Sequence, residues 1–250
     1  MWNKIKIILL ITAATTASAG TIYLALTIED RETFNHVAFS EGLDAQSIIN
    51  TRYDSYALVE EQEVEEPKPQ IEINKHEDKK TEDYLGSIEI PIIEVSDSIY
   101  KSEGDYYLSH DYNKKEYEPG ELYLDDRTGT DLFTNGALLN GHAMPDGTKF
   151  GNFKKLLDID EQPEIKVWNE ATQEVKIYKM LFVSLIDGGT SGIIMDFPND
   201  ELRIQYYKNL YDTAIKQWEE PTEGDTFMLL NSCAYIIRDG HYVVVAKQEE

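Results

Sequence analysis

Cysteine is almost absent: Cys233 is the only one in 250 residues, so the chain closes no internal disulfide. Its five histidines have no second histidine or cysteine nearby at ligand spacing, which argues against a metal centre, and no cofactor is expected. Positive charge is scarce too. Lys and Arg number 23 against 47 Asp and Glu, a formal net charge of -24, and a surface so acidic excludes a nucleic-acid partner, whose phosphates need basic groups to displace their counterions. No internal repeat is evident. Hydrophobic residues make up 41%, enough to build the core of one ordinary domain with extensions.

What the chain does have begins at its N-terminus. Lys4 and Lys6 flank the start of an apolar or small-residue stretch, 5–28, long enough to cross a hydrocarbon core of about 30 Å. Glu29 and Asp30 follow at once. By the positive-inside rule this predicts a single-pass membrane anchor over 1–28, with the N-terminus cytoplasmic and the remainder outside. Ala17-Ser18-Ala19 before Gly20 also has the form of a signal-peptide cleavage site, so removal of the segment is the competing reading.

Residues 29–83 read as an amphipathic helical segment, broken near Gly42, followed by a linker over 60–83. That linker is dense in Glu and Lys, carries Pro67 and Pro69, and has too little apolar surface to offset the entropy of ordering it. Beyond Tyr84 the texture becomes short apolar or alternating runs at 86–93, 120–124, 137–140, 164–168, 174–185, 226–230 and 241–246. Many short strands with turn residues between them predict a closed, mainly β domain over 84–250. A short helical turn is expected at 151–157. An amphipathic helix is expected at 199–218, with apolar Leu202, Tyr206, Leu210, Ile215 and Trp218 and with Asp200 near its start as a cap.

Cys233 follows the apolar run Phe227-Met228-Leu229-Leu230, which holds it at a strand end. A buried free cysteine is ordinarily a small hydrophobe, but an unpaired thiol outside the membrane points to reactivity. Such a nucleophile needs an imidazole. His36 and His76 fall in the amphipathic segment and the linker, and His110 in a polar loop, contexts that fit solvated side chains. His142 differs, because Ala137-Leu138-Leu139-Asn140-Gly141 delivers it from the end of an apolar strand, after a glycine that permits close backbone approach.

The string G-H-A-M-P-D-G-T-K-F-G-N-F-K-K-L, 141–156, resembles the catalytic-histidine segment of class B sortases, the membrane-anchored cysteine transpeptidases of Gram-positive bacteria. The likeness extends over L-G-S-I-E-I-P (85–91), Y-Y-L-S-H-D-Y (106–112), E-L-Y-L-D-D-R (121–127), D-T-F-M-L-L-N-S-C-A-Y (225–235) and D-G-H-Y-V-V-V-A-K (239–247). The helix before the cysteine strand is similar to the insertion that marks class B.

This resemblance implies an eight-stranded β-barrel with Cys233 and His142 meeting at one edge. It also implies a mechanism in which the Cys233 thiolate attacks the carbonyl after a threonine of a substrate's C-terminal sorting signal, of N-P-x-T type, while His142 protonates the departing amine. The thioacyl enzyme is then resolved by an amine, from a peptidoglycan precursor or from a pilin lysine. Two departures stand out. Where the family carries an arginine for the oxyanion this chain has His241, leaving Arg238 or His241 to take that role, and Asn231-Ser232 replaces the usual Ser-Thr before the cysteine.

Overall fold

A computed structural model describes residues 71–187 and 189–249. The expected membrane anchor and amphipathic segment, with His36, lie outside these residues. Among the described residues no helix is long and apolar enough to cross a membrane.

Nine strands form one sheet: β1 (Tyr84–Ile90), β2 (Val95–Lys101), β3 (Leu122–Leu124), β4 (Ala137–Asn140), β5 (Glu164–Asn169), β6 (Glu174–Ile186), β7 (Lys216–Gln217), β8 (Phe227–Ala234) and β9 (Gly240–Gln248). Their order is β5-β1-β2-β3-β4-β8-β9-β6-β7, and a further pairing of β5 with β6 closes eight of them into a barrel. Closure removes the open sheet edges. The ninth, β7, is a two-residue addition beside Phe182 and Val183 of β6.

Alternation along the strands sorts side chains to two faces. Ala137 and Leu139 of β4, Met228 and Leu230 of β8, and Val244 and Ala246 of β9 join the main core with Ile88, Ile99, Phe150 and Phe153. Leu138, Leu229, Val243 and Val245 turn the other way and pack with Ile204 and Tyr207. Those two come from the one α-helix among the described residues, α1 (Asp200–Asp212), which starts where Asn199 accepts a hydrogen bond from the Leu202 amide.

The strands expected from the sequence are present, and the structure adds β2 and the two-residue β7. The expected helix is shorter than its apolar pattern. It stops at Asp212, and the chain turns back so that the Ile215 amide donates to Val183 and the Trp218 amide to Leu181. The helical turn near 151–157 is a 3-10 helix, Phe153–Asp158.

Residues 71–83, read as the end of a linker, lie against the barrel. Tyr84 Oη donates to the Lys75 carbonyl, Ser87 Oγ to that of Asn74 and Tyr100 Oη to that of Lys79, while the Lys75 ammonium sits 3.5 Å from the centre of the Trp168 ring. Fixed aromatic hydroxyls on the barrel thus order a segment whose composition alone does not. His76 is half-buried there, bonded to Ser96 Oγ at 3.2 Å, and burial lowers its pKa.

Candidate active site

Strand β4 runs parallel to β8 in the register Ala137↔Met228 to Asn140↔Asn231. Past that last pair the two chains stay joined, because the Gly141 amide donates to the Asn231 carbonyl and Ser232 Oγ donates back to the Gly141 carbonyl at 2.9 Å. Extended two residues past Asn140↔Asn231, that register would put His142 level with Cys233.

Gly141 makes that geometry possible. A Cβ at this position would lie 2.3 Å from Leu122 Cδ2 and 3.0 Å from Phe150 Cδ2, both on fully buried side chains of the core. Gly141→Ala is therefore expected to push the strand end outward, lowering activity more than about tenfold and stability by about 1–3 kcal/mol. Peptide turnover and a urea titration check it. A variant with unchanged turnover would show that the glycine does not position His142.

The His142 ring is half-buried, and its Nε2 lies 2.9 Å from the Leu108 carbonyl oxygen. A carbonyl only accepts, so Nε2 carries a proton in this bond. Leu108 ends a 3-10 turn, Tyr106–Leu108, anchored by buried Tyr107, whose hydroxyl donates to Asp83 and whose carbonyl accepts from the Glu121 amide. A backbone acceptor carries no side-chain signature, so sequence reasoning missed it.

Cys233 is half-buried on β8. Burial pushes its thiol pKa upward, so the resting group is the neutral thiol. Its register partner across the antiparallel β8–β9 ladder is His241. Side chains of such a pair stand on one face with Cβ atoms about 4.5–5.5 Å apart.

Of the four residues expected at the site, Cys233 and His241 are register partners, and His142 follows the strand that pairs with β8. Arg238 occupies the β8–β9 turn, where its side chain is 96% exposed and its ion-pair partner is Asp239. Tyr235, Ile236 and Ile237 of the same turn are exposed as well. His110 stacks on Tyr106 at 4.0 Å and bonds its carbonyl, a local arrangement separate from the cysteine.

Behind His241 lies a polar chain that the sequence did not disclose. His241 Nδ1 meets Asn231 Oδ1 at 2.9 Å, Asn231 Nδ2 donates to Asn140 Oδ1 at 2.8 Å, and Asn140 Nδ2 donates to Asp125 Oδ2 at 3.0 Å. Arg127 closes it with a two-pronged grip on the Asp125 carboxylate and reaches the Thr190 and Ile193 carbonyls. Burial would raise the Asp125 pKa, but the bonds from Arg127 and Asn140 outweigh it and hold the carboxylate ionised.

No protein-family model matches the chain. Sortase B of Listeria monocytogenes is 31% identical over 83 residues, a match spanning 33% of this chain and 34% of that protein, about a third of its length. Among solved structures, sortase B of Clostridium perfringens superposes with a TM-score of 0.61 at 20% identity, covering 67% of this chain and 94% of that one. A Streptococcus pyogenes class B sortase involved in pilus biogenesis gives 0.57 at 16% identity, covering 67% and 92%. These likenesses, at 20% and 16% identity, show that the chain has the fold of the class B sortases.

Proposed function

We propose that this chain is a sortase-type cysteine transpeptidase with Cys233 as nucleophile and His142 as acid and base. The observation that carries the reading is the parallel β4–β8 register, whose continuation aligns His142 with Cys233 on two rigid strand ends. In the first half-reaction the Cys233 thiol gives its proton to His142 as the sulfur attacks the carbonyl that follows the threonine of an N-P-x-T-type sorting signal. The tetrahedral intermediate collapses to a thioester as His142 gives its proton to the departing amine. An incoming amine then attacks the thioester and yields its proton to His142.

The acceptor in this reading is a cell-wall precursor amine. A pilin lysine is the second candidate, favoured by the likeness to the Streptococcus pyogenes protein involved in pilus biogenesis. The apolar stretch 5–28 would tether the catalytic domain outside the membrane, near secreted substrates.

The test is trapping. Full-chain protein incubated with a panel of sorting-signal peptides is expected to gain the mass of the N-terminal peptide fragment, mapped to Cys233. Complete absence of the adduct across the panel sinks the enzyme reading and leaves a sortase-fold binder of surface proteins, the alternative that replacement of the family's arginine by His241 favours.

A further inference from the structure

His142 is held by a backbone carbonyl rather than by another side chain. Its Nε2 donates to the Leu108 oxygen at 2.9 Å, so for as long as that bond lasts any proton the ring gains or loses passes through Nδ1. What fixes the Leu108 carbonyl therefore fixes the ring and its tautomer.

Tyr107, the residue before it, supplies three anchors. The Tyr107 carbonyl accepts from the Glu121 amide at 2.8 Å, its ring stacks on buried Tyr100 with centres 5.1 Å apart, and its hydroxyl donates to Asp83 Oδ2 at 2.8 Å. Burial and then the Asp83 charge push the Tyr107 pKa upward, so the hydroxyl keeps its proton. Burial would raise the Asp83 pKa, but the Tyr107 hydroxyl and Lys114 outweigh it and keep the acceptor ionised. Asp83 is itself pinned, because its carbonyl accepts from the Lys101 amide of β2 at 2.8 Å and β1 begins at the next residue.

Gly120 completes the mounting. Its φ is +58°, and a Cβ there would lie 2.4 Å from the Tyr107 oxygen and 2.5 Å from the Leu108 oxygen. The chain returns so close to the turn that only a residue without a side chain fits.

We infer that Tyr107 and Asp83 are positioning residues for His142, the proposed acid and base: their hydrogen bond sets the turn that aims the Leu108 carbonyl at Nε2, and so reserves Nδ1 for proton transfer. The inference rests on the transpeptidase reading above. In that cycle Nδ1 takes the thiol proton, which makes an imidazolium, and releases it to the departing amine. It then takes the proton of the incoming amine and returns it to the thiolate. The Nε2–H bond is never broken, and its hydrogen bond to the carbonyl strengthens while the ring is charged. The segment ahead of the barrel, which ends at Asp83, is thereby tied to the site.

Nitrogen NMR of the imidazoles in the full-chain protein reads the tautomer, the His142 signals being those missing from His142→Gln. The neutral ring of the wild type is expected to be protonated on Nε2 alone, and protonation on Nδ1 overturns the proposal. Tyr107→Phe keeps the ring and loses only the hydroxyl. It is expected to give a mixture of the two tautomers and to lower kcat about tenfold, with KM within about twofold. Asp83→Ala should match it, and the double variant should be no worse than either. Asp83→Asn, whose amide oxygen still accepts from the tyrosine, should keep both readouts at the wild-type level. A purely structural role would lower the urea midpoint and leave the tautomer single, which overturns the proposal. Should Tyr107→Phe fail to fold, Asp83→Ala, at a side chain 27% exposed, carries the same test. The tautomer needs no sorting signal, so failed thioacyl trapping counts against the transpeptidase reading, whereas a tautomer unmoved by these variants counts against the positioning role.

Discussion

Cys233→Ala is expected to abolish transpeptidation, with turnover falling by at least about 10⁴-fold, while the fold stays intact. The two halves of that statement have separate physical grounds. The sulfur is the atom that bonds to substrate, and removing a covalent nucleophile leaves only what binding and oxyanion contacts supply. Structurally the side chain is expendable. Cys233 is half-buried and lies outside the close-packed cluster that includes Met228, Leu230 and Ala234 of the same strand, so its loss opens no core cavity. Unfolding in urea should shift by less than about 1 kcal/mol. Residual turnover within about tenfold of wild type would mean that another group attacks the substrate, since the chain has no second thiol.

How much of this was legible beforehand depends on whether neighbours in space were also neighbours in a pattern. β4, β8 and β9 announce themselves as apolar runs, and the two residues that carry the proposed chemistry sit where such runs end. β2 does not. Asp97 and Ser98 are buried in its middle, Asp97 against lysines and Ser98 at 0% exposure, so polar letters stand where a core strand should show apolar ones. The helix reading overran for the opposite reason. Ile215 and Trp218 continue the apolar spacing of α1, yet they belong to the return segment that pairs with β6.

The site divides along the same line. Cys233 and His142 are single residues at strand ends, so one string each suffices to find them. The chain from His241 through Asn231 and Asn140 to Asp125 draws on β9, β8, β4 and the turn after β3, and its meaning lies in the order of donors and acceptors. Asp125 and Asp126 are neighbouring acids that the sequence does not tell apart. Only Asp126 is exposed, while Asp125 is buried in the grip of Arg127.

Lys149→Ala is the substitution expected to cost the most stability, about 3–5 kcal/mol. Lys149 Nζ lies 2.8 Å from Asp97 Oδ2 and 2.5 Å from Glu121 Oε2, and its side chain is only 7% exposed. Burial alone would lower the Lys149 pKa, but the charges of Asp97 and Glu121 outweigh it and the ammonium is held charged. Removing it leaves two buried carboxylates with Lys79, 3.5 Å from Asp97, as the nearest remaining cation. Because the folded pKa of Lys149 is raised, its contribution is complete below the unfolded value of 10.5 and is lost as pH rises through the higher folded one. The gap between wild type and variant should therefore close only in strongly alkaline buffer.

The same lysine ends the loop that His142 begins. Ala143 bridges Lys149, and the Phe150 amide donates to the His142 carbonyl at 2.9 Å. Loss of Lys149 should then loosen His142, the proposed acid and base, as well as the barrel, so turnover per folded molecule falls too. Neutralising all three groups, with Lys149→Met, Asp97→Asn and Glu121→Gln together, is expected to recover most of the stability, since no charge is left buried without a partner. Urea midpoints of the single and triple variants decide the matter. A single variant within about 1 kcal/mol of wild type would mean that the triad's attraction only balances its own desolvation, and that the loop is held by its backbone bonds instead.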